Sequence, residues 1–125
     1  MDYDVVIIGG GPSGLATAIK LAQTFKEKNL DKSICVLEKS AEIGGHILSG
    51  NVFETTALDE LIPDWKEKGA PLDVKVKRDA IKFLINDKYS LPVPSFVMPT
   101  MQNHGNYILS LGNLCRWLAE QAEAL

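Results

Sequence analysis

The chain is most constrained by a cluster of glycines that stands directly between an apolar run and an amphipathic segment. Residues 9–14 read GGGPSG. Before them, residues 3–8 (YDVVII) form a β-branched run typical of a central parallel strand. After them, apolar side chains recur at helical spacing as far as Phe25. Because the chain turns from strand to helix on consecutive glycines, we predict an α/β fold.

A second strand follows this helix and ends in an acidic residue. Residues 33–37 (SICVL) are apolar and β-branched, and Glu38 comes directly after them. Strand, glycine turn, helix and strand together predict one βαβ unit over residues 3–38. A G-x-G-x-x-G turn in this context, followed by an acid, is the pattern of dinucleotide-binding folds. We therefore predict that the unit binds the ADP half of a dinucleotide.

Each residue of this motif has a physical task. Gly9 allows the sharp turn out of the strand, Gly11 leaves room for a pyrophosphate, and Gly14 lets the helix pack close to the strand. The start of the helix offers unpaired amides and a partial positive charge, to which Ser13 adds a hydroxyl. The carboxylate of Glu38 would accept hydrogen bonds from both ribose hydroxyls and repel a 2′-phosphate.

The choice between FAD and NAD depends on less specific features. The motif lies at the very start of the chain, takes the form GGGPSG, and is followed after the acid by a second glycine pair. These features favour FAD, although both cofactors present an ADP half. The predicted cofactor-binding residues are Gly9, Gly11, Ser13, Gly14, Glu38, Lys39, Gly44 and Gly45. No residue is predicted to be catalytic or to ligate a metal.

Beyond residue 40 the pattern predicts additional elements around this unit. Alternating residues 74–78 indicate a strand, and two apolar runs on either side of Asn86 and Asp87 indicate a hairpin. The prolines of residues 92–99 predict a stiff connection without helix. Residues 111–125 predict an amphipathic helix capped by Ser110. Two parallel strands are few for a sheet of this kind, so we expect the chain to be the front of a larger protein.

Composition excludes several classes of function. Lys and Arg number 13 against 16 Asp and Glu, a net charge of −3, so nucleic-acid binding through the phosphate backbone is not expected. The longest aliphatic run is residues 5–8, which is far too short to span a membrane, and we expect no targeting segment among these residues. The two cysteines, Cys35 and Cys115, are expected to be structural, and His46 and His104 have no assigned role.

Several motifs also carry a family resemblance. Residues 4–14 resemble the glutathione-reductase-like FAD proteins in general. A more specific set resembles the family of electron transfer flavoprotein–ubiquinone oxidoreductases over nearly the whole chain. This set comprises residues 36–44 (VLEKSAEIG), 46–50 (HILSG), 63–72 (PDWKEKGAPL), 103–108 (NHGNYI) and 117–125 (WLAEQAEAL).

The resemblance implies a Rossmann-like FAD-binding domain of the glutathione-reductase-like type, incomplete, with an additional small antiparallel β element. Residues 1–125 would be its N-terminal portion. The complete protein would use FAD to pass electrons from reduced electron transfer flavoprotein to ubiquinone in the membrane. The resemblance also implies a [4Fe–4S] cluster and a membrane-surface region, both formed by segments outside this chain. The protein would then lie peripherally on the bacterial cytoplasmic membrane or the mitochondrial inner membrane, and this chain alone would be inactive.

Two other functions are compatible with the sequence. One is an FAD-dependent hydroxylase or geranylgeranyl-reductase-like enzyme, which reduction of the flavin by NADPH would reveal. The other is a nucleotide-binding module without redox turnover.

Overall fold

The structure is a computed structural model that describes residues 2–125. Short strands and three α-helices make up the regular structure of this range. The strands are β1 (Val5–Ile8), β2 (Ile34–Leu37), β3 (Asn51–Phe53), β4 (Val74–Lys75), β5 (Ile81–Leu84), β6 (Ser90–Val93) and β7 (Tyr107–Leu109). The helices are α1 (Pro12–Glu27), α2 (Thr56–Leu61) and α3 (Leu111–Glu123).

The first three elements form the strand–helix–strand unit that the sequence predicts. Strands β1 and β2 are parallel, with Val5 opposite Ile34 at one end and Ile8 opposite Leu37 at the other. Helix α1 connects them and begins directly after the glycine turn. The predicted α/β class with a Rossmann-like start is therefore confirmed.

The antiparallel part is larger than expected and consists of two separate sheets. One is three-stranded, in the order β3–β7–β4, and the other is the hairpin β5–β6. The strand expected over residues 74–78 ends at Lys75, because its partner β7 is only three residues long. The hairpin lies where it was predicted, and its loop is closed by the Asn86 side chain, which accepts hydrogen bonds from the amides of Lys88 and Tyr89.

The proline-rich connection contains helical turns that the sequence analysis did not expect. Single 3₁₀ turns span Ser95–Val97 and Pro99–Met101. Proline is compatible with the first position of such a turn, because the amide it lacks would have no partner there. Pro92 itself lies within β6, opposite Lys82, so the prolines of this segment are compatible both with the end of a strand and with short helices.

The core lies between the three helices and the three-stranded sheet. Its largest fully buried members are Leu15 and Ile19 of α1 and Leu114 and Cys115 of α3. As expected, Ser110 caps the start of α3, and its side-chain hydroxyl accepts a 3.5 Å hydrogen bond from the amide of Asn113. Helix α3 packs along α1, so the last helix stabilises the first unit of the fold.

Both tryptophans belong to this core, as predicted. Trp65 and Trp117 are 4% and 7% exposed. Their indole N–H groups donate to Asp59 Oδ1 (2.6 Å) and to the Lys68 carbonyl (3.0 Å), so neither polar atom is left unpaired.

The parallel sheet, by contrast, is covered on one face only. Side chains of the other face are largely exposed, with Ile8 at 88%, Leu37 at 52% and Val6 at 51%. The strand pattern predicts a buried position for Cys35, but on this open face the side chain is only half-buried. The reason is that α1 packs on one side of β1 and β2, and nothing among residues 2–125 covers the other.

Candidate functional site

The glycine turn has the backbone shape that the motif predicts. Gly9 adopts φ +105°, a left-handed conformation that side chains disfavour, and its amide donates to the Leu37 carbonyl at 2.7 Å. Gly11 is the N-cap of α1 with φ −82° and ψ −178°. The chain thus leaves β1, turns beside the end of β2 and enters the helix within three residues.

Gly14 and Gly11 differ in the space available to a side chain. A Cβ on Gly14 would overlap the Gly9 carbonyl oxygen and lie 3.4 Å from Ile7 Cγ2, so only glycine allows α1 this close to β1. A Cβ on Gly11 would meet no protein atom within 4 Å. Gly11 therefore borders open space, as expected of a residue that leaves room for a ligand.

The start of α1 has the electrostatic character of an anion site. Pro12 is its first residue, no side chain caps it, and no acidic residue lies in its first turn. Among residues 2–125, no group accepts a hydrogen bond from the amides of Ser13 and Gly14. These amides and the positive end of the helix dipole face the space next to Gly11, where a pyrophosphate can be held.

Glu38 is held at the edge of this space by two amides. The amide of Gly10 donates to its Oε2 at 2.7 Å, and the amide of Ser40 donates to its Oε1 at 2.8 Å. These bonds, that of Ser40 first, lower the pKa of Glu38, and the charge of His46 contributes less. A carboxylate has about four acceptor positions, so two ribose hydroxyls can still donate to it.

Gly10 is a site residue that the sequence analysis did not single out. A Cβ at this position would run into the Ile43 side chain and lie 3.2 Å from Glu38 Oε2. The missing side chain therefore allows the amide to reach the carboxylate. In the sequence, Gly10 occupies a position at which the G-x-G-x-x-G pattern allows any residue, so the pattern does not mark it as a site residue.

The second glycine pair lies on the turn that follows Glu38. Gly44 is buried, has φ +82°, and would place a Cβ 2.6 Å from the carbonyl oxygen of Gly112. A Cβ on Gly45 would overlap Ser40 Oγ. Gly44 is thus required by its backbone conformation and by a backbone contact within the protein, whereas at Gly45 the closest contact is with a side chain that can rotate. Lys39, next to Glu38, is exposed. Their assignment as cofactor contacts stays a prediction.

Other candidate residues do not form a second site. Cys115 is fully buried, and burial, followed by the charge of Glu38, raises the pKa of its thiol. His104 lies on the exposed turn before β7. Within the described range, no three His, Cys, Asp or Glu side chains are grouped as a metal site would need.

The sequence of this chain is also similar to those of known proteins. Residues 7–65 match the family of NAD(P)-binding Rossmann-like domains. An electron transfer flavoprotein–ubiquinone oxidoreductase of Pseudomonas aeruginosa is 56% identical over 126 residues, covering 100% of this chain and 23% of that protein. The chain is a relative of these oxidoreductases. The resemblance predicted from the motifs is confirmed.

Eukaryotic relatives give the same result. The mitochondrial electron transfer flavoprotein–ubiquinone oxidoreductase of Dictyostelium discoideum is 56% identical over 124 residues, 98% of this chain and 20% of that protein. That of Rattus norvegicus is 51% identical over 124 residues, 99% of this chain and 20% of that protein. The chain thus spans about a fifth of the length of the curated relatives it matches.

Proposed function

We propose that this chain forms the ADP-binding part of an FAD-dependent electron transfer flavoprotein–ubiquinone oxidoreductase. The observation that carries the proposal is the pairing of Glu38 with the Gly10 amide at 2.7 Å, directly beside the open space at Gly11. The relatives' names, at 51–56% identity over almost the entire chain, supply the reaction. The donor would be reduced electron transfer flavoprotein and the acceptor ubiquinone.

The residues of this chain would bind and orient the cofactor. The amides at the start of α1 would hold the pyrophosphate, and Glu38 would hold the adenosine ribose while repelling a 2′-phosphate. FAD, when bound, supplies a carrier that can accept and release electrons. No proton transfer is assigned to a residue of this chain. A [4Fe–4S] cluster would use ligands from outside it, since Cys35 lies on β2 and Cys115 in the core.

Transfer of electrons to ubiquinone requires contact with a membrane, and one surface of this chain fits that task. The described residues include no helix of the length and apolarity needed to cross a bilayer. The hairpin and the turn after it nevertheless expose a group of large apolar side chains. This apolar hairpin surface, formed by side chains on both faces of the hairpin and on the turn after it, comprises Phe83 (64% exposed), Leu84 (74%), Ile85 (54%), Tyr89 (67%), Leu91 (56%), Phe96 (80%) and Val97 (55%).

We infer that the apolar hairpin surface enters the membrane interface. Exposed apolar patches of this kind mark interaction sites, and here Lys82 and Lys88 lie on the same hairpin, where they can meet anionic headgroups. The sequence analysis expected the membrane contact outside this chain. The hairpin supports an additional contact within it and a peripheral location.

The reaction is tested with a full-length form, meaning a protein of the relatives' length that carries these 125 residues. Quinone reduction is measured with reduced electron transfer flavoprotein and, separately, with NADH and NADPH as donors. We expect turnover with the flavoprotein donor and none with either nicotinamide. Rapid turnover with NADPH would instead support the hydroxylase or reductase alternative.

The membrane contact is tested by replacing Phe83 and Phe96 with Ser in the same full-length form. We expect weaker co-sedimentation with vesicles of phosphatidylcholine and phosphatidylglycerol, with the bound-flavin spectrum unchanged. Val52→Ser is the matched control, because Val52 is also half-exposed but lies on β3, outside the hairpin. Unchanged vesicle binding by the double variant would contradict this proposal.

A further inference from the structure

Helix α3 contacts the ribose-binding side of the site although it lies far along the chain. The Nε of Arg116 donates to the Ile43 carbonyl at 3.3 Å, and its Nη1 donates to Asn113 Oδ1 at 3.1 Å, which fixes the guanidinium. One turn earlier, Gly112 is buried against Gly44, so closely that a Cβ on Gly112 would lie 3.1 Å from the Gly44 carbonyl oxygen. Helix α3 therefore holds residues 43 and 44 by a hydrogen bond and by backbone packing.

These two residues belong to the turn that carries the partners of Glu38. Ser40, at the start of the turn, donates its amide to Glu38 Oε1. Ile43 extends its side chain toward Gly10, whose amide donates to Glu38 Oε2. Of the two amide donors, that of Ser40 therefore lies on the turn that α3 contacts, and that of Gly10 lies against the side chain of Ile43, which α3 also contacts. A shift of this turn would move the Ser40 donor directly and would displace the Ile43 side chain that lies against Gly10.

We propose that Gly112 and Arg116 are positioning residues for Glu38. They hold residues 40–45 so that the carboxylate faces the ribose with both of its amide donors in place. This inference rests on the proposed binding of FAD. Arg116 is exposed, so its side chain contributes little to the core, and its described partners are the Ile43 carbonyl and Asn113. Its effect on FAD can therefore be separated from an effect on folding.

The first test is the dissociation constant of FAD for Arg116→Ala in the full-length form. Loss of the hydrogen bond to Ile43 is expected to weaken FAD binding roughly 3- to 10-fold. The thermal unfolding midpoint of flavin-free Arg116→Ala is expected to equal that of flavin-free Glu120→Ala. Glu120 is an exposed residue on the same helix and serves as the control. Arg116→Lys keeps a donor on a long side chain, so it is expected to restore part of the affinity.

Gly112→Ala tests the packing contact separately. Alanine is the better helix former, so the change favours α3 itself while its Cβ pushes against Gly44. We expect weaker FAD binding without a lower unfolding midpoint. Wild-type affinity in both Arg116→Ala and Gly112→Ala would overturn the inference.

A double-mutant cycle shows whether the effect passes through Glu38. If Arg116 acts by positioning this carboxylate, adding Arg116→Ala to Glu38→Ala is expected to cause little further loss of affinity. Fully additive losses would overturn the inference, because Arg116 would then act independently of Glu38. Failure of the proposed function has a different signature: the wild-type protein would not bind FAD, or Glu38→Ala would bind it normally.

Discussion

At the scale of single residues, Gly11 and Gly14 should fail in different ways when they are replaced. Gly11 has an ordinary φ of −82° and open space where a Cβ would stand, so the protein itself tolerates a side chain there. Gly11→Val is therefore expected to abolish flavin retention while the unfolding midpoint of the flavin-free protein stays unchanged. Absorbance of bound flavin after gel filtration measures the first effect, and a normal flavin spectrum would contradict the assignment.

Gly14→Ala is the matched comparison at the other end of the motif. Its Cβ would overlap the Gly9 carbonyl, so α1 would have to move away from β1. We expect a loss of stability of about 1–3 kcal/mol, as is typical of overpacking, visible in denaturant unfolding of the flavin-free protein. Equal stability of the two glycine variants would show that α1 does not pack as described.

Glu38 should contribute directly to the affinity for FAD. Glu38→Ala leaves the ribose hydroxyls and the amides of Gly10 and Ser40 without their acceptor, so FAD binding is expected to weaken by about 1–3 kcal/mol. Equilibrium titration with FAD measures the change. An unchanged dissociation constant would mean that the carboxylate does not face the cofactor.

At the scale of elements, Asp4 joins the start of β1 to the residues before β2. It accepts bonds from Lys32 Nζ at 2.6 Å and from the Ser33 amide at 2.9 Å, and these, Lys32 first, lower the pKa of Asp4 from 3.8 to about 2. Because the folded pKa is the lower one, this stabilisation is complete above the ordinary value and is lost as pH falls through about 2.

Asp4→Asn is therefore expected to remove part of the acid sensitivity of unfolding. The difference in free energy of unfolding between wild type and Asp4→Asn should shrink as pH decreases from about 4 to 2. Chemical denaturation at each pH measures it. Asp73→Asn serves as the control, and a pH-independent difference for Asp4→Asn would contradict the assigned hydrogen bonds.

The elements also show what the sequence could predict. The strand–helix–strand unit was predictable because its glycines, its periodicity and its acid are local signals. Pairing of β3 with β7 was not, since each strand has three residues and Asn51 pairs with Leu109 far along the chain. The contact of Gly44 with Gly112 is equally non-local, so the motif predicts only a cofactor contact for Gly44, and no local signal marks Gly112.

At the scale of the whole molecule, the open sheet face and the apolar hairpin surface together expose many apolar side chains. Ile8 is 88% exposed on the sheet and Phe96 is 80% exposed after the hairpin. We expect these 125 residues alone to self-associate, to bind FAD weakly and to reduce no quinone. Light scattering and FAD titration of the purified chain measure this. A monodisperse chain with tight FAD binding would contradict it.

The three-stranded sheet has a further consequence for how the chain accepts changes in length. The Val76 amide donates to the Asn106 carbonyl at 2.8 Å, so the segment between these residues leaves the core and returns to it at one point. The entropic cost of bringing the two ends of this segment together depends only weakly on how many residues the segment contains. Insertions and deletions in this segment are therefore expected to leave the nucleotide site unchanged.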